Sequence, residues 1–439
     1  RGGTAQTKYS ISGSVYDQKG IIINTGYSRY QGRVAIDQTI GAKLKAGITT
    51  NYSRINTYGQ PVSDGNGPSF TAYLLSRAWG YRPVNGGNNI DLLEEDGDAD
   101  LISQYDIRLN PIITSNNEYN KTKTGDLLAN AYITYSPFTN LEFKFAGSMA
   151  NRQKRGDLFY NSKTVQGSPL NPRNTKGQWG SVIYTETNIW SNDNTVTYRT
   201  NINKDHKITA LGGVSFQNYK GESYGYAAQN VLNEQLELPG LDEGVPYSGY
   251  ASSGENFMTS FFSRLSYSYR SKYVLEMTFR GDGSSKFAKD HKWGYFPSGS
   301  FAWNMQEENF MKQLGFVSNA KLRVSYGSTG NNRVGNYDAY AGLTFPIAAS
   351  YSFNNATPGK GAAVAGLGNR NLKWETTDQL NIGYDLGLFN DRIALTVDWY
   401  RKITRDLLLN ADLPSTMGVL TAQLNIGKIQ NQGIEIGLK

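Results

Sequence analysis

The chain has no cysteine among its 439 residues, so disulfide frameworks and thiolate metal sites are excluded. Histidine is almost as scarce. His206 and His291 are the only two, and they fall in a predicted turn and a predicted loop on opposite sides of the fold. No Cys–His pair can exist, and no Ser–His–acid grouping has suggestive spacing, so the sequence offers no catalytic residues. Long apolar runs are also missing. None reaches the roughly 18 residues of a membrane helix, which leaves a membrane barrel open because its strands carry a weaker signal. Amphipathic helical periodicity is sparse for this length, and only 38% of residues are hydrophobic. The net charge is +7, but the cations are scattered rather than gathered into the basic stripe of a nucleic-acid binder, so no nucleic-acid partner is expected.

What the chain does have is glycine, 48 residues, and tyrosine, 30 residues, set in an alternation of period two. From Phe257 to Tyr269, the residues Phe257, Phe261, Leu265, Tyr267 and Tyr269 share one face, broken by Thr259 and Ser263. Ser260, Arg264, Ser266 and Ser268 share the other, with Phe262 as the exception. Leu141, Phe143, Phe145 and Met149 oppose Glu142, Lys144 and Ser148 in the same way, and Leu322, Val324 and Tyr326 oppose Lys321, Arg323 and Ser325. Leu380, Ile382, Tyr384, Leu386 and Leu388 oppose Gln379, Asn381 and Asp385. Ile393, Leu395, Val397 and Trp399 oppose Thr396 and Asp398. Charges stay off the apolar face, as a lipid-facing surface requires.

This patterning predicts about fourteen strands near 8–16, 22–40, 44–56, 126–136, 141–153, 187–203, 207–220, 256–270, 272–286, 294–305, 320–328, 374–389, 392–406 and 427–439. The strand at 187–203 is weak, with only Val196, Tyr198 and Ile202 forming an apolar row. A short helix is expected within 306–319 on Glu308, Phe310, Met311 and Leu314. Connections alternate between short turns and long loops near 57–125, 154–186, 221–255, 329–373 and 407–426, apart from a brief one at 287–293. Outer-membrane barrels alternate in this way, with short turns on the periplasmic side and long loops outside. A propeller would need similar blades about every 40–45 residues, and no such repeat is present. The fold class is therefore all-β, a transmembrane antiparallel β-barrel.

Several blocks then carry a resemblance. Arg280, Asp282, Gly283, Ser284, Ser285 and Phe287, followed by Trp293, Gly294, Tyr295, Phe296 and Pro297, match the mid-barrel signature of SusC/RagA-like TonB-dependent outer-membrane transporters. Residues 8–40, the run LRVSYGSTGN at 322–331, NLKWET at 371–376 and the NxGxE start at Asn431–Glu435 resemble further blocks in the family's order. The signature residues are read as structural.

The resemblance implies a barrel of about 22 strands with a plug. No plug, TonB-contacting box or signal peptide is recognisable here, so 1–439 is expected to be a fragment, roughly the middle two-thirds of the barrel. A complete fourteen-stranded barrel is the competing expectation. The implied location is the outer membrane of a Gram-negative, Bacteroidota-like bacterium, crossed many times. The implied function is import of an oligosaccharide or oligopeptide. A SusD-like surface lipoprotein would be the partner, and the TonB complex would act through the plug. A passive porin or structural surface barrel is the alternative. No cofactor or metal is expected.

Ligand contacts are placed in the outer loops. Trp79, Tyr81 and Arg82 follow a short apolar segment, and Trp179 and Tyr184 sit in the Asn/Gly/Pro-rich stretch 161–185. Aromatic faces suit sugar rings or peptide side chains, and the competing reading is that these residues pin loops together. The acidic run Glu94, Glu95, Asp96, Asp98 and Asp100 fails the EF-hand pattern and reads as a solvated loop. GDGSS at 281–285 lacks the spacing of a phosphate loop and is expected to bend the strand end. Trp399, Tyr384 and Tyr326 fit an interfacial aromatic girdle.

Overall fold

The computed structural model describes residues 1–59, 74–81, 110–169, 171, 174–345, 350–352, 355, 359 and 361–439. Period-two patterning becomes one antiparallel sheet of 15 strands. In chain order the strands are β1 (Gly2–Gly3), β2 (Thr7–Lys19), β3 (Gly26–Ile40), β4 (Leu44–Tyr58), β5 (Glu118–Phe138), β6 (Leu141–Tyr160), β7 (Trp179–Ile202) and β8 (His206–Gln229). They continue as β9 (Val245–Tyr269), β10 (Tyr273–Ser284), β11 (Trp293–Asn304), β12 (Val317–Asn331), β15 (Glu375–Leu388), β16 (Ile393–Arg405) and β19 (Lys428–Leu438). Each pairs with its sequence neighbours, and the edges β1 and β19 do not pair with each other. Two hairpins stand apart within loops: β13 (Gly342–Thr344) with β14 (Ala363–Gly366), and β17 (Leu408–Asp412) with β18 (Thr421–Asn425). Helices α1 (Leu74–Gly80), α2 (Pro111–Asn117) and α3 (Asn309–Lys312) are short, and α3 fills the connection where a helix was expected.

Register explains why one face is apolar. Tyr267, Leu275, Phe301, Val324, Ile382, Trp399 and Ile434 are successive direct partners from β9 to β19. The adjacent rung, one residue along, runs Ser266, Glu276, Ser300, Ser325, Asn381, Tyr400 and Gly433. Side chains of the two rungs point to opposite faces, so a slip of one residue would exchange them everywhere. Tyr384 and Tyr326 join Trp399 on the apolar face. Phe262, the exception, stands on the polar face beneath the Arg280 guanidinium, 5.8 Å from its ring centroid.

The strands run further than their apolar rows. β5 begins at Glu118, β6 ends at Tyr160, β7 begins at Trp179 and β8 ends at Gln229. Loops expected at 57–125, 154–186 and 221–255 therefore shrink to 59–117, 161–178 and 230–244. The stretch 407–426 is not an open loop but carries the β17–β18 hairpin. Beyond the bilayer neither face of a strand has to be uniformly apolar, and Phe159 and Ala228 there pack with loop residues Val231 and Leu241. Hydrophobic alternation stops there while the backbone ladder continues, so the sequence pattern marks the membrane-spanning part and not the strand. At the same end, 22–25 is a turn rather than strand, with Asn24 at φ 56°.

The short-turn end is tied by specific contacts. Arg270 and Ser271, at φ 53° and 58°, close the β9–β10 hairpin, with the Lys272 amide donating to Tyr269 O at 2.9 Å. Both central residues are left-handed, as in a type I′ turn, whose twist matches that of the flanking strands. Glu308 accepts from Lys272 Nζ at 2.9 Å, Tyr273 OH at 2.7 Å and Trp303 Nε1 at 3.3 Å, joining two neighbouring connections. These donors, Lys272 first, hold its carboxyl below the usual range. The contribution of this contact is therefore present above the ordinary carboxylate pKa and is lost as pH falls through the lowered one.

Candidate functional site: a loop clasp and a polar wall

The signature residues meet at the long-loop end of β10 and β11. Arg280 and Asp282 are two apart on β10, so they share the polar face. Arg280 Nε donates to both Asp282 oxygens at 2.8 Å, and its Nη2 donates to Ser260 Oγ at 3.0 Å. Beside them Phe287, Phe296, Val334, Leu372 and Trp374 form a buried cluster, with Met258 and Leu408 packed against it. Phe287 and Leu372 are fully buried. The cluster gathers the 285–292 connection, the 332–374 loop and the β17 hairpin onto one place on the wall. Trp374 Nε1 donates to Lys292 O at 2.9 Å, and Asn332 Nδ2 to Ser284 Oγ at 3.3 Å. Ser285 exchanges two hydrogen bonds with the Phe257 backbone, at 2.8 and 2.9 Å.

Glycine makes this packing possible. A Cβ on Gly294 would stand 2.5 Å from Phe296 Cζ and 2.9 Å from Trp374 Cγ. On the apolar face Gly283 and Gly281 lie opposite Trp293 and Tyr295, and a Cβ on Gly283 would meet the Trp293 ring at 2.9 Å. GDGSS is mostly strand, because β10 continues through Ser284 and the turn begins only at Ser285. Its glycines seat cross-strand aromatic rings. Pro297 lies just above the last β11–β12 pair, Ser298 with Gly327, where a missing N–H breaks no ladder bond to β12.

The four predicted ligand residues that the structure describes fall at α1 and on β7. Trp79 lies in α1 and is 90% exposed, Tyr81 follows that helix half-buried, and Arg82 lies outside the described residues, as does the acidic run 94–100. Trp179 and Tyr184 are not loop residues: both belong to β7. An odd spacing puts them on opposite faces of that strand, so they cannot meet one ligand. Tyr184 stacks on Tyr224 across the β7–β8 pair at 4.9 Å. Trp179 packs on Tyr160 at 4.9 Å and on Tyr247 at 6.2 Å, and its Nε1 donates to Gln166 O. Lys176 Nζ sits between the two rings, 4.3 Å from Trp179 and 4.4 Å from Tyr247. Trp179 thus anchors the 161–178 loop. Tyr160, Lys176 and Tyr247 were not visible as its partners because they are distant in sequence or lie in segments without periodicity.

Lower on the wall, Arg323 makes a bidentate pair with Asp385 at 2.8 and 3.0 Å and reaches Asp398 at 3.1 Å. The guanidinium thus bridges two carboxylates on the polar face and offsets one of their two charges. Between this triad and the clasp the wall is made of small hydroxyl, amide and glycine positions.

Comparison with known proteins agrees with this geometry. Residues 60–439 match the family model described as TonB dependent receptor-like, beta-barrel. TonB-dependent receptor P3 of Formosa agariphila is 30% identical over 438 residues, covering 100% of this chain and 42% of the relative. TonB-dependent receptor SusC of Bacteroides thetaiotaomicron is 34% identical over 222 residues, 45% of this chain and 21% of that one. Among solved structures, the RagAB peptide transporter superposes with a TM-score of 0.81 at 22% identity, over 100% of this chain and 47% of that chain, a likeness of fold. The chain thus spans less than half the length of the curated relatives it matches. A sheet with one apolar and one polar face, a clasp built from the mid-barrel signature and a family match over most of its length lead to one assignment: the chain belongs to the TonB-dependent receptor β-barrel family, and is SusC/RagA-like.

Proposed function

We propose that this chain is part of the wall of an outer-membrane transporter. It would import a large polar nutrient, an oligosaccharide or oligopeptide, using energy delivered by TonB. The carrying observation is the pair of adjacent rungs, one apolar and one polar, within a chain of this family. A wall of that kind separates lipid from an aqueous lumen. The sheet is open at β1 and β19, and an open edge in hydrocarbon would leave backbone groups unpaired, which supports further strands completing the barrel in the whole protein. A barrel of about 22 strands is a wide hole unless plugged, so transport through it requires work on a plug. The relatives' names, TonB-dependent receptor and RagAB peptide transporter, support this reading.

The long-loop end is the side from which cargo and a SusD-like surface lipoprotein would approach. Loops gathered by the clasp, and the exposed hairpin β13–β14, offer a broad surface for such a partner. Of the aromatic residues, Trp79 is exposed enough to touch cargo, with Tyr81 and Arg82 near it in sequence, whereas Trp179 anchors the 161–178 loop and Tyr184 stacks on Tyr224 within the β7–β8 pair.

Deleting TonB in the host tests the reading. Growth on the cognate oligomer through the full-length protein should cease, with the receptor still present in the membrane. Uptake at the wild-type rate without TonB would place the protein among passive porins.

A further inference from the structure

We infer that the outward face of β4, β5 and β6 carries a site for the phosphate of an outer-leaflet glycolipid headgroup, a step that rests on the outer-membrane reading. Three outward rows change character together. On β6 the apolar row Leu141, Phe143, Phe145 and Met149 continues on the same face as Asn151, Gln153 and Arg155. On β4 Ile48 and Tyr52 are followed by Arg54, and on β5 Ile133, Ala131, Ala129 and Leu127 give way to Gly125 and Lys123. Arg54 is the direct partner of Tyr30 on β3 and of Gly125 on β5. Tyr30 and Tyr52 are both half exposed on this face, as in the aromatic belt at a bilayer interface. Arg54 stands two residues beyond Tyr52, about 7 Å along the strand. The headgroup layer is roughly 5–7 Å deep on each side of the hydrocarbon. Arg54 therefore sits at headgroup depth, and the long stems of Lys123 and Arg155 bring their charges within reach of it from just above.

The charges are arranged for an anion. Lys123 and Arg155 are direct cross-strand partners, and like charges so placed repel each other. Arg54 is their diagonal neighbour, two residues from Asn56, which pairs with Lys123. All three cations are exposed. Neither Arg54 nor Lys123 has an ion pair with a described residue. Arg155 gives its Nε to the buried Asp157 at 2.7 Å, which leaves the end of its guanidinium uncommitted. The facing carboxylate on β7, Glu186, is taken by Asn151 at 2.8 Å and by Asn188 at 3.1 Å. Gly125 lies among the cations, and a Cβ there would meet only Tyr52 Oη, at 3.5 Å, so the floor between them is open. Lys121, one rung higher, lies over the Tyr119 ring at 4.2 Å and stands outside the group. On the same face of β8, Lys220 is instead paired with Glu222 at 2.6 Å. A phosphate has the charge and the oxygens to accept from two guanidinium ends, an ammonium and a hydroxyl together. The apolar rows directly below suit acyl chains, so the phosphate best placed here is borne by a lipid whose chains lie along them.

The experiment uses full-length receptor purified in detergent and loaded with lipid A carrying two phosphates, with the same lipid dephosphorylated, or with inorganic phosphate. Bound lipid is counted by native mass spectrometry. The wild type should retain the phosphorylated lipid, should not retain the dephosphorylated one, and should not release the first to millimolar inorganic phosphate. Arg54→Gln with Lys123→Gln should lower retention at least fivefold. Gly125→Glu, which sets a carboxylate among the cations, should abolish it. Lys220→Gln, which removes a paired cation from the same face, should leave it unchanged. Heat-modifiable migration checks that each barrel is intact. Undiminished retention in the Arg54/Lys123 variant, or an equal loss in Lys220→Gln, would overturn the site. Equal retention of the dephosphorylated lipid, release by inorganic phosphate, or no retention by the wild type would overturn the ligand. Purified receptor needs no TonB, so a failure here is separate from TonB-independent uptake in cells, which would instead overturn the transport reading.

Discussion

Replacing Phe287 with alanine should free the long-loop end of the wall without dissolving the wall itself. Phe287 is fully buried in the clasp, its ring 5.4 Å from that of Trp374. Truncating a buried phenylalanine costs about 3–5 kcal/mol through lost burial and the cavity left behind. The ladder below the clasp does not depend on that ring, because β9, β10 and β11 are paired along their own backbones. The penalty therefore falls on the loops the clasp gathers, 285–292, 332–374 and 406–427. Protease added to intact cells should cut these loops far faster in F287A than in wild type, while heat-modifiable migration of the barrel is retained. Trp374→Phe keeps most of the packing but loses the bond to Lys292 O, so it should show a smaller increase. Unchanged loop cleavage in F287A would mean that the signature block serves something other than loop attachment.

A lysine at Leu265 should be nearly as costly, for a different reason. Leu265 sits on the apolar face, paired with Ala210 and Met277. Along β9 it lies midway between Tyr269, stacked near Tyr273 at 6.3 Å, and Phe261, stacked on Trp293 at 5.8 Å. Aromatic contacts of this kind mark the two interfaces, so Leu265 falls near the bilayer centre. A lysine there costs about 2–4 kcal/mol, falling to about 0–1 near an interface. Leu275 is the next apolar position after Tyr273 on β10, close to the short-turn interface. Leu265→Lys should therefore lower the temperature of heat modification markedly, and Leu275→Lys only slightly. Equal effects at the two positions would remove the depth assignment, and no effect at either would remove the lipid assignment.

Much of this fold was legible because lipid imposes a strict rule. Where a strand crosses hydrocarbon, each outward position must be apolar, so Leu275, Met277 and Phe279 announce both the strand and its face. The turns were legible too, since they interrupt the alternation abruptly, as at Asn390–Arg392. What the sequence hid lies where the rule lapses. Glu118–Lys123 and Trp179–Glu186 are strand in the structure but lie beyond the apolar rows, with Tyr119 and Val182 packed on a loop-end cluster of Phe159, Ala228, Val231 and Leu241, so lipid imposes no periodicity on them. Trp179 and Tyr184 looked like loop residues for that reason. The clasp was half visible. Its motif residues stood out as a block, but nothing local says that Phe287 and Phe296 pack with Leu372 and Trp374, which are contacts between segments far apart in the chain.

The wall itself can be probed directly because the chain contains no cysteine. Single cysteines placed in turn at 264, 265, 276, 277, 278 and 279 of the full-length receptor, in outer-membrane vesicles, would be exposed to a charged, water-soluble maleimide. Positions 264, 276 and 278 should label readily from the lumen, and 265, 277 and 279 should resist until detergent is added. That alternation, residue by residue across β9 and β10, is what a wall between lipid and water must show. Labelling without alternation, or protection of the even-numbered positions instead, would contradict it.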